Sequence, residues 1–162
     1  MGGTIFFEVQ EYHPYTTARI YEETEDYIIY AVEPLHTGSL KRFAVEVILK
    51  EPFSFEDISI INHGIVQKVK KGDIYKNDIS QKRWQGISAN LVFCYFGREE
   101  SDILNGNYLC RTTCADEYQD KKWWYRLDNN SIVINDIHFN IHSYYGNLKI
   151  FTEEHIGEKD AL

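Results

Sequence analysis

The chain has 162 residues, of which 43% are hydrophobic and 15% are aromatic, so a single globular domain over residues 1–162 is expected. This composition can bury a sizeable core, which excludes a disordered chain and a small disulfide-held domain. The formal net charge of −8 disfavours a nucleic acid partner, because binding to phosphate backbones depends on clustered basic side chains.

The first predicted elements are strands in which apolar and polar residues alternate. Residues 4–10 show this alternation clearly. Residues 18–23 and 26–33 follow as two strands joined by a short acidic turn, which predicts a hairpin. Residues 42–49 alternate most regularly of all, so a half-buried strand is expected there.

A helix start is predicted after this strand. Ser54 offers a short capping side chain, and acidic residues occupy the next turn, so a short helix over 55–62 that ends near Gly64 is expected. The β-branched isoleucines of this segment leave a strand open as the alternative. Residues 65–71 mix the two periodicities and are interpreted as a strand.

The middle of the chain contains one very apolar run. Residues 73–83 are polar and are interpreted as a surface connection. Residues 88–96 are so apolar that a central strand buried on both faces is predicted. Residues 97–106 indicate a loop or one helical turn, residues 107–112 a strand, and residues 113–117 a short helix capped by a threonine.

The last part of the chain is predicted to be a β-meander. Its strands are residues 122–127, 132–145 and 148–152, with turns at 128–130 and at Gly146-Asn147. The complete pattern predicts an α+β fold that is mainly β. We expect an antiparallel sheet curled into a barrel or a sandwich of about 8–10 strands, with one or two short helices.

The cysteines indicate a reducing compartment. Cys94, Cys110 and Cys114 are an odd number in a chain of this size and do not form a disulfide framework. Residues 1–12 lack the basic region of a secretory signal, and no apolar stretch is long enough to span a bilayer. These observations predict a cytoplasmic protein that does not associate with membranes.

No sequence motif assigns a reaction or a cofactor. Glycine-rich phosphate loops and nucleophile elbows are absent from the sequence. His138 and His142 have the spacing of a helical zinc pair, but the surrounding alternation indicates a strand, where they would stand about 13 Å apart. No metal site or thiol chemistry is therefore predicted. Asp136, His138 and His142 remain candidates for lining a ligand groove, since they would share one face of that strand.

Two features are candidates for binding a partner. The first is an acidic hairpin within residues 1–33, a segment with a net charge of −6, whereas residues 64–90 carry +4. The second is an aromatic pair that would place at least one ring on the surface of a one-sided sheet. The predicted partner-binding residues are Glu22, Glu23, Glu25, Asp26, Trp123 and Trp124.

These features support three hypotheses about function. The preferred one is a protein-binding module, an acidic inhibitor or immunity-type protein that neutralises a basic partner such as a toxin nuclease. The alternative is an enzyme or small-ligand-binding β-barrel with a pocket lined by tyrosine and histidine. A structural subunit of a larger assembly is the third possibility. The sequence leaves the oligomeric state open.

Overall fold

The computed structural model describes residues 10–11, 21–125 and 129–141, which contain nine strands and four helices. The strands are β1 (Gln10–Glu11), β2 (Glu22–Glu23), β3 (Tyr27–Pro34), β4 (Arg42–Leu49), β5 (Ile74–Tyr75), β6 (Leu91–Gly97), β7 (Cys110–Ala115), β8 (Ser131–Ile134) and β9 (Ile137–Asn140). The helices are α1 (Phe55–Val69), α2 (Asp78–Trp84), α3 (Glu100–Asn105) and α4 (Lys121–Trp124). None of the helices in the described ranges is both long enough and apolar enough for a bilayer crossing.

Seven of these strands form one mixed sheet in the order β2-β3-β4-β6-β7-β9-β8, so the fold is α+β and mostly β. The prediction of a purely antiparallel sheet is wrong, because β4 and β6 are parallel. The chain between these two strands passes through α1, β5 and α2, and such a crossover returns the next strand in the same direction. Among the described strands the sheet is open, with β2 and β8 at its edges.

Helix α1 begins where the sequence predicts and continues further. The Ser54 hydroxyl accepts a hydrogen bond from the backbone N–H of Asp57 at 3.1 Å, as the predicted cap requires. The helix then runs through Gly64 to Val69, so the strand predicted at 65–71 is wrong. Ile65 and Val69 are buried against the sheet, and this burial outweighs the cost of about 1 kcal/mol for a glycine inside a helix.

The second half of the chain corrects two further predictions. Residues 113–117 are not a helix, because β7 continues to Ala115 and pairs with β6 along its whole length. Residues 122–127 were expected to form a strand, but residues 121–124 form the single turn of α4. The carboxylate of Asp120 caps this turn by accepting from the N–H of Lys122 at 2.9 Å.

The strand expected over residues 132–145 is divided by a turn. Asn135 and Asp136 both have positive φ, at 52° and 64°, which joins β8 to β9 as a tight hairpin. Asparagine and aspartate tolerate this left-handed conformation better than other non-glycine residues. Of the strand predicted at 4–10, residues 4–9 lie outside the described residues, as does the predicted hairpin at Gly146-Asn147.

The two faces of the sheet differ. Helix α1 packs on one face and forms the main core with the inward side chains of the strands, among them Phe43, Val45, Cys94, Phe96 and Phe139. The opposite face we call the open face. Its outward side chains include Glu33, Arg42, Glu46, Phe93, Tyr95, Arg111, Thr113, His138 and Asn140. In the described part of the chain, only the short helices α3 and α4 lie against it.

A half-buried histidine holds the loop between β3 and β4 in place. The N–H of Arg42 donates to Nδ1 of His36 at 3.0 Å, so Nε2 carries the proton and donates to the carbonyl oxygen of Ile74 at 3.0 Å. The His36 ring also stands edge-on to Phe43. Burial, together with the nearby charge of Lys41, lowers the pKa of His36 to about 4.

This histidine predicts an acid-sensitive fold. The pKa of His36 is about 4 in the folded chain and about 6.5 in the unfolded chain, so the folded state binds fewer protons between these values. Its contribution to stability is therefore complete above about pH 6.5 and is lost as the pH falls towards 4, by about 2–3 kcal/mol. Urea unfolding at a series of pH values should show this loss in the wild type. It should be much smaller in His36→Gln, and an identical pH profile for both proteins would contradict the assignment.

Candidate functional site

The acidic hairpin is present, but its first carboxylate faces the protein. Glu22 is only 9% exposed, and its two carboxylate oxygens accept from Nζ of Lys68 at 2.8 and 2.7 Å. The hydroxyl of Tyr27 donates to the same carboxylate at 2.9 Å. Glu22 therefore ties the edge strand β2 to helix α1 and is not free to meet a partner.

The remaining carboxylates of the hairpin are exposed. Glu23 forms an ion pair with Lys50 at 2.6 Å, on the surface. Glu25 and Asp26 lie in the turn between β2 and β3 and face solvent. The negative charge that the hairpin offers to solvent therefore comes mainly from Glu25 and Asp26.

The two tryptophans project from α4, and turns at Asp116 and Asp120 position this helix. The carboxylate of Asp116 accepts from the N–H of Tyr118 at 3.0 Å and from Nδ2 of Asn90 at 3.0 Å, which anchors the approach to α4. Trp123 is 65% exposed, and Trp124 is half-buried. The expectation that at least one ring faces outward is confirmed for Trp123, although a helical turn and not a strand presents it.

The tryptophans form one wall of a groove on the open face. This groove, which we call the tryptophan groove, has a volume of about 480 Å³. Its lining consists of Phe93, Arg111, Thr113, Trp123, Trp124, His138 and Asn140. Strand register explains the arrangement, because Thr113 lies between Phe93 on β6 and His138 on β9. Three of the residues singled out in the sequence, Trp123, Trp124 and His138, therefore meet at one place.

Arg111 lies in the floor of this groove and has no anionic partner among the described residues. The register places it between Tyr95 on β6 and Asn140 on β9. Its Nε is buried and has no hydrogen-bond partner. Within the described ranges, none of the ion pairs includes Arg111. A buried Nε–H without an acceptor is unfavourable, since the folded protein does not replace the water contact that this group lost.

The other end of the open face is acidic. Glu46 on β4 is half-buried, accepts from the hydroxyl of Tyr108 at 3.3 Å and is adjacent to Tyr95 in the register. Burial raises the pKa of the Glu46 carboxyl, the Tyr108 hydrogen bond opposes this, and the charge of Glu33 raises it again. Glu33 lies opposite Ala44 and is therefore diagonal to Glu46, close enough for the two carboxylates to repel each other.

Aromatic side chains separate the acidic end from the arginine. The Tyr95 and Tyr108 rings are 5.0 Å apart between centroids. Along one row of the register, Glu46, Tyr95, Arg111 and Asn140 follow one another on adjacent strands. Because neighbouring strands are about 4.8 Å apart, Glu46 and Arg111 stand about 10 Å apart across the sheet. The open face thus carries a negative end, an aromatic centre and a positive groove.

Of the residues predicted to line a ligand groove, Asp136 and His138 are described, and they are not brought together. His138 lines the tryptophan groove, whereas Asp136 lies in the β8–β9 turn and forms an ion pair with Lys121. The expected row does not form, because β8 ends at Ile134 and the left-handed residues Asn135 and Asp136 form a turn before β9. His142 lies outside the described residues.

Asp136 instead borders a second cavity of about 280 Å³ between α1 and the end of the sheet. Cys114 faces this cavity, and its sulfur accepts from Nδ2 of Asn62 at 3.3 Å. Burial raises the pKa of Cys114 to about 11, so the thiol stays protonated at neutral pH and is a poor nucleophile. Among the side chains that the structure describes, no group of three or more His, Cys, Asp or Glu is arranged to hold a metal ion.

The charged residues of the open face were missed in the sequence. Glu33, Glu46 and Arg111 each occupy an outward position of a strand whose inward positions are apolar or buried. The available signal was a single charge inside an alternating run, as in the glutamate of RFAVEVIL. That signal does not show which strands are neighbours, and it is the neighbours that create the charge pattern.

Comparison of this chain with protein-family models, with curated proteins and with solved structures gave no significant match.

Proposed function

We propose that this protein is a protein-binding module, an acidic inhibitor or immunity-type protein that neutralises a basic partner such as a toxin nuclease, and that it docks through the open face. The observation that carries this proposal is the tryptophan groove beside an acidic, tyrosine-rich half of the same face. Tryptophan, tyrosine and arginine are the residues that most often dominate the binding energy of protein interfaces.

The electrostatics of the open face favour a basic partner. Glu33 and Glu46 repel each other, and Glu100, beside Tyr30, adds a third carboxylate near the same end. A basic side chain placed between Glu33 and Glu46 would relieve that repulsion. Carboxylates in this arrangement also accelerate the encounter with a positively charged protein.

The structure and chemistry of the cysteines agree with this proposal. Cys94, Cys110 and Cys114 all carry free thiols. Free thiols suit a reducing compartment, and we therefore propose a cytoplasmic location, where an inhibitor would protect the cell from a partner made there or imported.

The alternative function requires a barrel or a sandwich that encloses a ligand. The cavity beside Cys114 lies under α1, and much of its polar lining is already bonded within the protein. For example, Tyr125 accepts from the N–H of Ala115 and donates to the carbonyl oxygen of Asp136. A pocket whose polar groups are satisfied offers little to orient a small ligand. We therefore prefer docking on the open face.

A matched pair of charge reversals tests the docking surface. The partner is first captured on immobilised wild-type protein from a lysate of the source organism, identified and purified. Glu33→Lys on the open face should then weaken its binding by about five- to tenfold at low salt, because the attraction for basic groups becomes repulsion. Glu51→Lys makes the same charge change at an exposed position in the β4–α1 connection and should leave the affinity unchanged.

Isothermal titration calorimetry at low and high salt measures both effects. The difference between Glu33→Lys and wild type should shrink at high salt, since screening reduces interactions between exposed charges. Equal affinities for Glu33→Lys and Glu51→Lys would contradict docking through the acidic half of this face.

A further inference from the structure

We propose that the tryptophan groove is a carboxylate-binding site, in which Arg111 receives an acidic side chain of the protein partner. This inference rests on the proposed function and names the chemistry of one contact within it. The partner would then carry a basic group opposite Glu46 and an acidic group opposite Arg111, about 10 Å apart, as two strand spacings require.

The first argument is the state of Arg111. Its Nε is buried without a hydrogen-bond partner, and the described part of the chain supplies no carboxylate to its guanidinium. Most buried polar groups in proteins are hydrogen-bonded, so an unsatisfied one in a groove needs an explanation. A planar guanidinium matches a carboxylate in a two-point hydrogen-bonded pair, which would satisfy Arg111.

The second argument is the composition of the groove wall. Trp123, Trp124 and Phe93 provide apolar surface in the groove that Arg111 lines, and Thr113 and Asn140 provide polar side chains there. An apolar wall lowers the local dielectric and excludes water, which strengthens a charge pair formed inside the groove. A volume of about 480 Å³ admits side chains of a docking segment.

The third argument is the charge order on the open face. Glu33 and Glu46 stand at one end and Arg111 at the other, separated by Tyr95. A uniformly basic partner would be repelled at Arg111. A partner with one acidic side chain among basic ones would complement the charges of the open face in only one orientation. Such mixed patterns select one partner orientation and reject others.

A small aromatic carboxylate can test the groove without the partner. The probe is 3-phenylpropionate, and its matched neutral control is 3-phenylpropanamide. Binding is followed by tryptophan fluorescence and by the ¹H–¹⁵N resonance of the Arg111 Nε–H, assigned with the variant Arg111→Met. The carboxylate should bind saturably and shift this resonance, and the amide should bind at least about tenfold more weakly, because it lacks the charge that Arg111 recognises.

Two variants locate the effect. Arg111→Met keeps the aliphatic volume and should lose the preference for the carboxylate. Arg98→Met removes an exposed arginine that pairs with Asp102 at 3.3 Å, outside the groove, and should keep the preference. The resonance shift in the wild type is an independent readout if Arg111→Met proves unstable.

Three results would overturn this inference. One is equal binding of the carboxylate and the amide, which would make the groove merely apolar. Another is an unchanged carboxylate preference in Arg111→Met. The third is competition by inorganic phosphate at the same concentrations, which would make the groove a general anion site. In each case, loss of partner binding in Glu33→Lys would still support the docking function, so the two proposals can fail separately.

Discussion

Replacing Trp123 by alanine is expected to weaken binding of the purified partner by about 30-fold or more, which corresponds to about 2 kcal/mol. Trp123 is 65% exposed in the free protein and borders the tryptophan groove, so docking would bury a large aromatic surface there. The stability of the free protein should change by less than about 0.5 kcal/mol, because little of the ring is packed before binding.

The control for this substitution is Ile79→Ala. Ile79 is 81% exposed on α2, which packs on β5 away from the groove. Titration calorimetry should give wild-type affinity for this variant. If Trp123→Ala bound the partner as tightly as Ile79→Ala, the groove would not be the anchor of the interface.

Replacing Lys41 by methionine is expected to lower the free energy of unfolding by about 2–4 kcal/mol. Lys41 is fully buried, and its Nζ donates to the carbonyl oxygens of Ile87 at 2.5 Å and Trp84 at 3.3 Å and to the hydroxyl of Tyr75 at 3.2 Å. Methionine fills a similar volume but removes the three hydrogen bonds that the buried ammonium group donates to these oxygens. Urea unfolding measures the loss.

Lys41 also matters for the binding face. Its backbone N–H donates to Oδ1 of Asn90 at 2.9 Å, and its carbonyl oxygen accepts from the N–H of Asn90 at 2.8 Å. These bonds align the first residues of β4 and β6. They therefore also fix the register of the row that runs from Glu46 on β4 to Tyr95 on β6. Lys71→Met, at an exposed position, should cost less than about 0.5 kcal/mol. Equal or greater stability of Lys41→Met would contradict this prediction and show that the buried ammonium group does not stabilise the fold.

Local patterns in the sequence were sufficient for several elements of the fold. The alternation at residues 42–49 correctly predicts β4, and the apolar run at 88–96 correctly places β6 in the middle of the sheet. The expectation that this strand is buried on both faces is wrong, because Phe93 and Tyr95 are only half-buried on the open face. Ser54 correctly marks the start of α1. These elements were predictable because their signals depend on near neighbours in the chain.

Other elements depend on contacts that the sequence does not display. The second half of α1 contains β-branched residues, and only the sheet beneath it decides in favour of a helix. The parallel pairing of β4 with β6 requires the whole crossover between them. Glu22 was expected on the surface because its partner, Lys68, is 46 residues away in the chain.

The candidate site, like the fold, could be predicted only in part. Trp123 and Trp124 are conspicuous as a pair in the sequence, and their exposure could be anticipated. Arg111 could not be recognised, because its significance depends on which residues flank it on β6 and β9 and on the absence of an ion pair for it within the described ranges.

Site-specific photo-crosslinking tests the central claim, that the open face is the docking surface, most directly. The photoreactive residue p-benzoylphenylalanine is introduced at Tyr95 in the centre of the open face, or at Ile60, which is 67% exposed on α1 on the opposite side of the sheet. The proposed docking mode predicts a stoichiometric cross-link to the partner from position 95 and none from position 60. Cross-linking from position 60 without cross-linking from position 95 would contradict it.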